Sequence, residues 1–307
     1  MIELFARSPG MREAVDLAER VSSTDTNVLI TGESGVGKDL LASFIHSKSR
    51  RAAQPLVKID CATLPGELLE AELFGYERGA FTGAVEARAG RFEAAQKGTV
   101  VLDEIAHLST EAQAKLLRVI ETLSFERLGG RKTIKLDARL IALTNVDLET
   151  AVAAGRFRED LFYRLHVISI RVPPLRERKE DLSKLIDHFL KHYSAKHGRN
   201  VQRISPEARA IVQAYDFPGN VRELANVIER AVIVANGKRV EENDLPGGLS
   251  AAVSAQRRRE QPQSLAQLEA AYISEILGLT RGNKTQCARI LGISRKNLYE
   301  KLARYGI

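Results

Sequence analysis

The feature that most constrains the fold is a glycine-rich loop between a β-rich run, Val28 to Thr31, and a helical pattern, Leu40 to Ser47. The loop and the residue after it are Gly32, Glu33, Ser34, Gly35, Val36, Gly37, Lys38 and Asp39. Strand, loop and helix in this order form a phosphate cradle, because backbone N–H groups and the helix dipole face the phosphates and the lysine reaches the outer ones. This motif alone also arises by chance. Asp39 moreover stands where Ser or Thr usually holds Mg²⁺, so other parts of a nucleotide site must be found.

A second part of a nucleotide site follows the apolar run from Thr99 to Leu102, which ends in the adjacent carboxylates Asp103 and Glu104. In phosphoryl transfer one carboxylate can hold Mg²⁺ while another orients and polarises the attacking water. We expect Asp103 to hold the metal and Glu104 to act on the water. Two acids after a strand are often only a helix cap, but their pairing with an upstream glycine-rich loop is far rarer than either feature.

The order of β-rich and helical patterns predicts an α/β fold followed by helical segments. Short β-rich runs, among them Leu56 to Asp60 and Arg139 to Leu143, alternate with helical patterns from Met11 to about Gly155. Such alternation indicates a parallel sheet covered by helices. From about Arg176 the pattern turns helical, as in a lid domain. We predict an α/β subdomain at 1–172, a helical lid at 173–245, a linker at 246–263 and a small all-α unit at 264–307.

The C-terminal unit has the plan of a helix-turn-helix and an excess of positive charge. From Ala251 onward the chain has ten Lys or Arg and four Asp or Glu, which gives +6 of the total formal charge of +7. A helix, the break at Gly292 and a basic helix capped by Ser294 are typical of a domain that places its last helix in the DNA major groove. Ile293, Leu298 and Leu302 are expected to face inward. The residues expected to be free to meet DNA are Arg295, Lys296, Asn297, Tyr299 and Lys301. A helical dimerisation module with a basic exterior is the alternative.

Cysteine content and hydropathy indicate a soluble cytoplasmic protein. The two cysteines, Cys61 and Cys287, lie far apart without a CxxC neighbour, which favours reduced thiols over a disulfide bridge. No apolar run approaches the length of a membrane span, and the first residues lack the apolar core of a signal peptide.

One hexapeptide lies between the two halves of the nucleotide site and has no chemistry of its own. It consists of Gly79, Ala80, Phe81, Thr82, Gly83 and Ala84. Its glycines permit a mobile tip that presents Phe81 to a partner. An ordinary apolar turn packed on its own domain is the alternative.

This string is similar to the signature loop of the bacterial enhancer-binding proteins, the AAA+ activators of sigma-54 RNA polymerase. The segment from Gly282 to Ser294 closely resembles the Fis-type domain that ends that family, and the resemblance extends from Ser8 to Ile307. It implies an AAA+ fold and an ATPase that uses ATP and Mg²⁺. It also implies dimers on enhancer DNA, a hexamer when active, and contact between the hexapeptide and the sigma-54 holoenzyme.

The resemblance implies roles for four further residues. Asn145 would sense the γ-phosphate, and Arg222 would sense nucleotide within its own subunit. Arg158 and Arg164 would reach the γ-phosphate of a neighbouring subunit, which would make hydrolysis depend on assembly.

One residue departs from the family's pattern: Asp60 stands where Asn commonly holds the catalytic glutamate until the target is engaged. An ionised Asp cannot donate a hydrogen bond and would repel Glu104, so this control does not carry over directly.

Two rival functions are an AAA+ unfoldase or clamp-loader-like motor, which leaves the hexapeptide unexplained, and a passive DNA-binding repressor. The repressor would be expected to lack Lys38, Asp103 or Glu104, and all three are present.

Overall fold

The computed structural model describes residues 4–306, apart from 65, 250, 252, 254–263 and 281. The chain forms two compact units, Met1–Pro246 and Gly247–Ile307. Most of the linker predicted at 246–263 lies outside the described residues. Among the helices that the structure describes, none is long and apolar enough to span a membrane.

A five-stranded parallel sheet lies at the centre of the first unit. The described residues form the strands β1 (Val28–Thr31), β2 (Leu56–Asp60), β3 (Gly75–Tyr76), β4 (Arg88–Ala89), β5 (Thr99–Asp103), β6 (Ser124–Glu126), β7 (Thr133–Lys135), β8 (Arg139–Thr144), β9 (Ile168–Arg171), β10 (Arg203–Ile204) and β11 (Arg239–Val240). The order in the sheet is β2, β5, β8, β1 and β9, and every neighbouring pair is parallel. The predicted α/β fold and its four predicted strands are confirmed, whereas β9 lies beyond the predicted alternation.

Helices cover both faces of this sheet. The described α-helices of the first unit are α1 (Pro9–Ser22), α2 (Lys38–Ser47), α3 (Gly66–Phe74), α4 (Arg91–Ala94), α5 (Thr110–Thr122), α6 (Leu148–Ala153), α7 (Glu159–Leu165), α8 (Lys179–Lys196), α9 (Pro206–Ala214) and α10 (Asn220–Val234). Successive strand residues point to opposite faces. Val100 and Leu102 of β5 therefore join the core formed with α3, α5 and α7, whereas Val101 joins the core formed with α1 and α2. Because the five strands are parallel, their carboxyl ends lie at the same edge of the sheet.

The segment predicted as a helical lid contains α8, α9 and α10. The α8 and α10 helices pack together, and each has buried residues spaced four apart: Leu182 and Ile186 in α8, Leu224 and Ile228 in α10. Burying one such side chain contributes about 1.5–3 kcal/mol. Ser205 caps α9 by accepting a hydrogen bond from the Ala208 amide at 3.2 Å, and Pro206 follows it as the first residue of the helix.

The C-terminal unit, considered by itself, contains three described helices: α11 (Leu265–Leu279), α12 (Lys284–Leu291) and α13 (Arg295–Tyr305). Gly292 ends α12 with φ of +68°, a conformation that glycine adopts without steric cost. Ser294 then caps α13, its hydroxyl accepting from the Asn297 amide at 3.1 Å. Ile273, Cys287, Leu298 and Leu302 are buried between the helices. The predicted helix-turn-helix plan is confirmed.

Candidate functional site

The glycine-rich loop joins β1 to α2, as the sequence predicts. Gly35 has φ of +77°, and a Cβ atom there would lie 2.5 Å from the Gly219 carbonyl oxygen. A Cβ atom on Gly32 would lie 2.6 Å from the Val172 carbonyl oxygen. Glycine is therefore required at both positions, because the loop passes close to backbone on both sides. The α2 helix begins at Lys38, which directs its first amides and the positive end of its dipole towards the loop.

Lys38 is buried at the base of the loop. Its ammonium donates hydrogen bonds to the carbonyls of Gly32 at 2.8 Å and Glu33 at 3.2 Å, and it lies 3.9 Å from Oε1 of Glu104. Burial lowers the pKa of Lys38, and the carboxylates of Glu104 and Asp103 oppose that shift. The ammonium can exchange the loop carbonyls for phosphate oxygens without leaving the site.

Asp103 and Glu104 lie where β5 ends, and they point in different directions. Oδ1 of Asp103 accepts from the Glu104 amide at 3.0 Å, and Glu104 has left-handed backbone angles, φ +52° and ψ +48°. Such a conformation is costly for a residue other than glycine and recurs at functional sites. Oε2 of Glu104 accepts from the Asn145 amide at 3.3 Å. The structure thus brings Glu104 and Asn145 together, although through the Asn145 backbone.

Lys58 of β2 joins this group, and sequence reasoning missed it. Its ammonium lies 2.6 Å from Oδ1 of Asp39 and 2.8 Å from Oδ2 of Asp103. Burial alone would lower the pKa of Lys58, but its hydrogen bonds to Asp103 and Asp39 outweigh that effect and raise it. The available signal was the alternation of β2, which places Lys58 and Asp60 on the same face of a strand next to β5.

Asp60, which departs from the family's pattern, has a local hydrogen-bond partner. Its carboxylate accepts a hydrogen bond from the Ala62 amide at 2.9 Å and so closes its own turn at the end of β2. Asp60 and Glu104 thus accept hydrogen bonds from different backbone amides, and the repulsion between them stays a prediction. The neighbouring Cys61 is buried and free, and burial raises the pKa of its thiol to about 12.

A cavity of about 230 Å³ brings together most of the predicted nucleotide residues, whereas Gly32, Glu33 and Asn145 line a second cavity. Its lining residues come from the loop, from the end of β5 and from the lid: Ser34, Gly35, Gly37, Lys38, Asp39, Asp103, Glu104, Phe189, Val221, Arg222 and Ala225. Nη1 of Arg222 donates to Oγ of Ser34 at 3.0 Å. The predicted lid arginine therefore contacts the glycine-rich loop of its own chain.

Two further residues tie the loop to the lid, and sequence reasoning missed both. Arg176 donates two hydrogen bonds to the carboxylate of Glu33, at 2.9 and 2.6 Å. Asn220, which is buried, donates to Oε2 of Glu33 and to the Ser34 carbonyl, both at 3.0 Å. The bonds from Arg176 and Asn220 lower the pKa of Glu33 to about 2. The glycine-rich loop and the lid are therefore joined by these hydrogen bonds.

The hydrogen bonds that Arg176 and Asn220 donate to Glu33 predict a pH-dependent contribution to the stability of the fold. Since the folded pKa of Glu33 is about 2 and its ordinary value is 4.5, the contribution is present above pH 4.5 and is lost as the pH falls towards 2. Glu33→Gln should lower the free energy of unfolding by about 1 kcal/mol or less at pH 7. The effect is small because the side chains of Glu33 and Arg176 are both about two-fifths exposed, so solvent screens their interaction. Urea unfolding at several pH values measures the difference, which should shrink towards pH 2. Glu111→Gln, at an exposed position, is the control; a difference that grew on acidification would contradict the assignment.

The predicted finger residues lie outside the cavity. Arg158 pairs with Asp160 at 2.7 Å, and Nη2 of Arg164 lies 3.4 Å from Oε1 of Glu121. The side chain of Arg164 is 59% exposed. Both arginines are on or beside α7, and neither is among the residues that line the cavity of their own chain. In their own chain, these two arginines therefore do not contact the cavity.

The hexapeptide forms an exposed tip between the short antiparallel strands β3 and β4. The Gly79 amide donates to the Ala84 carbonyl at 2.8 Å and closes the loop, with Ala84 buried beneath it. The Phe81 ring is 38% exposed and contacts Tyr76 edge-on, with ring centroids 5.0 Å apart. Thr82 is exposed. The tip packs partly on its own domain, as the alternative interpretation expects, but it leaves Phe81 and Thr82 accessible.

In the C-terminal unit, four of the five predicted DNA-contacting residues are exposed: Arg295, Lys296, Asn297 and Tyr299. The prediction that Lys301 is free is wrong. Its ammonium pairs with Oε1 of Glu269 at 2.6 Å, and its side chain is only 23% exposed. The helical pattern of α13 could not reveal this pair, because Glu269 belongs to α11. Lys284 lies over the ring of Tyr299, 4.7 Å from its centroid, and adds positive charge beside α13.

Comparison with known proteins assigns a family to each part of this arrangement. The family model described as the sigma-54 interaction domain matches residues 4–171. The model described as the AAA+ ATPase lid domain matches residues 176–262, and the model of bacterial regulatory proteins of the Fis family matches residues 264–305.

Individual relatives match nearly the whole chain. Regulatory protein AtoC of Escherichia coli strain K12 is 46% identical over 314 residues, which cover 99% of this chain and 68% of the relative. Transcriptional regulatory protein FlbD of Caulobacter vibrioides is 43% identical over 318 residues, covering 98% of this chain and 70% of the relative. The solved structure of NtrX from Brucella abortus in complex with ADP has a TM-score of 0.75 and 36% identity, and the match covers 100% of this chain and 70% of that one.

Proposed function

The chain belongs to the sigma-54-dependent transcription activators, whose central domain is an AAA+ ATPase, and we propose that it binds enhancer DNA and remodels the sigma-54 polymerase closed complex by hydrolysing ATP. The observation that supports the remodelling step is the exposed tip of the hexapeptide. Phe81 and Thr82 project from the same domain that holds the nucleotide cavity, yet neither lines it. A residue pair placed in this way can contact a partner without disturbing hydrolysis.

The hexapeptide tip is connected to the rest of the domain through a network of ion pairs. Arg127, which follows β6, binds Glu93 at 2.7 Å and Glu77 at 3.1 Å, and Glu77 lies just before the tip. Gly129, in the hairpin formed by β6 and β7, lies against Ala80. A Cβ atom added to Gly129 would be 2.9 Å from the Cβ atom of Ala80. These contacts join the tip to the β6–β7 hairpin, so a movement of the tip during the hydrolysis cycle would be expected to involve the hairpin as well.

The chemistry proposed for the cavity is the attack of water on the γ-phosphorus of ATP. The new bond joins the water oxygen to phosphorus, the bond to the ADP oxygen breaks, and a carboxylate accepts the proton from water. Glu104 is the group placed to do so once it releases the Asn145 amide. Lys38 would hold the outer phosphates after leaving its loop carbonyls, and Arg222 would report to the lid that nucleotide is bound.

The residues of this site fit Mg²⁺. The cation takes oxygen ligands, and in nucleotide sites one or two carboxylates and the substrate phosphates usually supply them. Asp103 and Asp39 offer two carboxylates at the mouth of the loop. When bound, Mg²⁺ would neutralise phosphate charge and so assist departure of ADP.

Assembly is the remaining requirement of the proposed mechanism. Arg158 and Arg164 are exposed enough to reach a neighbouring copy, and their present partners, Asp160 and Glu121, are surface carboxylates that a phosphate can replace. We assign the active state to a hexameric ring and the DNA-bound state to dimers. The α/β ATPase at 1–172, the lid at 173–245 and the DNA-binding unit at 264–307 are the parts that these assemblies would use.

A reconstituted promoter tests this function. With the full chain, ATP and Mg²⁺, sigma-54 holoenzyme on a promoter with an upstream binding site should form heparin-resistant open complexes. ADP in place of ATP should give none, and a promoter served by the main sigma factor should not respond to the protein. Open complexes that form equally without ATP would refute the remodelling function.

DNA binding through α13 predicts a change in the salt dependence of affinity. Lys296→Ala should weaken binding to a duplex selected by the protein from a random pool, and should reduce the slope of log affinity against log salt by about 1, as expected for one lost phosphate contact. Fluorescence anisotropy at several salt concentrations measures both. Lys301→Ala is the matched control: because Lys301 is paired with Glu269, its slope should stay at the wild-type value. Equal slopes for Lys296→Ala and the wild type would exclude Lys296 from the interface.

A further inference from the structure

A lysine lies between two carboxylates at the mouth of the nucleotide cavity. Asp39 comes from the first turn of α2, Asp103 from the end of β5, and Lys58 from the edge strand β2. The three residues are remote in sequence and meet only in the fold. The Lys58 ammonium lies 2.6 Å from one carboxylate and 2.8 Å from the other, so it bridges them.

The Lys58 ammonium offsets the electrostatic repulsion between the carboxylates of Asp39 and Asp103. Because both oxygens contact one nitrogen at 2.6 and 2.8 Å, they are at most about 5.4 Å apart. Two carboxylates at such a distance repel each other, and the repulsion is strongest where solvent is excluded. The Asp103 side chain is only 15% exposed. A hydroxyl in place of Asp39, the usual residue type after the lysine of such a loop, would not need a counter-ion.

We propose that Lys58 is the internal counter-ion of the magnesium position, which keeps the divalent cation out until ATP delivers it. The ammonium uses the same carboxylate oxygens that a cation would need, at hydrogen-bonding distance. A Mg²⁺ ion that coordinated both oxygens at about 2.0–2.1 Å would need the space between them that the ammonium occupies. The Lys58 side chain is 45% exposed and can move into solvent. Lys58 is thus a positioning residue, because it acts through Asp39 and Asp103.

This inference rests on the ATP and Mg²⁺ site proposed above, but it makes a claim about the nucleotide-free protein. In the nucleotide-free protein, Lys58, Asp39 and Asp103 together have a net charge of only one negative unit, since one ammonium faces two carboxylates. Removing the ammonium leaves two facing carboxylates, an arrangement that attracts divalent cations. The chain with Lys58 should bind them weakly when nucleotide is absent.

The test uses Mn²⁺ alone as the probe, with the full chain free of nucleotide, and measures free Mn²⁺ by electron paramagnetic resonance. Lys58→Gln should tighten Mn²⁺ binding about tenfold or more, because one positive charge is removed next to the ligands. Lys58→Arg should stay near the wild-type affinity. The control Lys48→Gln removes a lysine from the other end of α2, where it pairs with Glu19 at 3.5 Å, and should have no effect.

A double variant identifies the ligands. Adding Asp39→Asn to Lys58→Gln should return Mn²⁺ affinity to the wild-type level, because one of the two carboxylates is then lost. Lys58→Met provides a second neutral replacement with an unbranched chain, and thermal unfolding confirms that each variant is folded. The edge position of β2 favours folded variants, since β2 has only one neighbour in the sheet.

Nucleotide binding gives an independent readout. In EDTA, Lys58→Gln should bind a fluorescent ATP analogue more weakly than the wild type, since the triphosphate then meets two unneutralised carboxylates. With Mg²⁺ present the two proteins should bind it with similar affinity. Unchanged Mn²⁺ affinity in both Lys58→Gln and Lys58→Met would overturn the proposal and leave Lys58 as a structural ion pair. Neither measurement involves polymerase, so a failure here is distinct from a failure of the activator function.

Discussion

Glu104→Gln should lower kcat for ATP hydrolysis by a factor of about 10² to 10⁴, the range expected when a general base is lost. Glutamine has the same size, and its carbonyl oxygen can still accept the hydrogen bond from the Asn145 amide that Oε2 of Glu104 accepts at 3.3 Å. It cannot accept a proton from water. Binding of ATP should therefore persist while turnover stops, as measured by phosphate release and by fluorescent nucleotide titration. Glu111→Gln, at an exposed position on α5, should behave as wild type.

The same variant tests whether the fingers act between subunits. Arg164→Ala should be nearly inactive by itself, because its rings lack the arginine at every site. A Glu104→Gln subunit keeps its arginines and can supply them to the intact Glu104 of an Arg164→Ala neighbour. Mixtures should therefore be more active than either variant alone, with a maximum at intermediate ratios. Absence of rescue at every ratio would place Arg164 in its own subunit's site or outside the mechanism.

The parts of this site that the sequence predicts are those coded by neighbouring residues. The run from Thr99 to Leu102 is buried on both faces and ends in Asp103, so strand, turn and carboxylates follow one another in the chain. The loop from Gly32 to Lys38 is recognised from the spacing of its glycines and lysine, and α2 begins where the loop ends. Recognising this pattern needs no knowledge of the rest of the fold, although the contacts that require glycine at Gly32 and Gly35 are with the distant Val172 and Gly219.

The missed residues have roles that depend on distant partners. Asn220 begins α10, and only the fold places its side-chain amide group against Glu33. Lys58 is one basic residue in a short strand until β2 pairs with β5 and brings Asp103 beside it. Lys301 illustrates the opposite error, because its exposure was inferred from helical spacing while Glu269 of another helix holds it.

Short elements were also beyond prediction. The β3–β4 pair has only two residues in each strand, too few for a pattern of alternation to emerge. This pair frames the hexapeptide, so the geometry of the tip could not be derived even though its residues were identified. The structure supplies the missing relation: the tip is closed by the bond between Gly79 and Ala84, and Thr82 is left facing solvent.

Thr82→Ala should remove promoter opening and leave the other two activities intact. Thr82 is exposed and lies outside the nucleotide cavity and outside the C-terminal unit, so ATP hydrolysis and DNA binding should stay within about twofold of wild type. Open complexes at a sigma-54 promoter should fall roughly 30-fold or more, the loss expected for a central contact residue of an interface. Phosphate release, fluorescence anisotropy and heparin-resistant complexes measure the three activities. Thr110→Ala changes an exposed threonine on α5 and should lose none of them.

Trapping a complex with sigma-54 by a transition-state mimic distinguishes a loss of contact with sigma-54 from a loss of ATP hydrolysis. If the tip engages sigma-54 while the γ-phosphate is being transferred, ADP with aluminium fluoride should hold wild-type protein on sigma-54 in a complex stable to gel filtration. Thr82→Ala should bind the mimic equally well but form no such complex. Because Phe81 also packs against Tyr76, its replacement would alter the shape of the tip, whereas Thr82→Ala removes only exposed atoms. Undiminished trapping by Thr82→Ala would therefore mean that the hexapeptide is only a turn, and that the motor contacts polymerase through another surface.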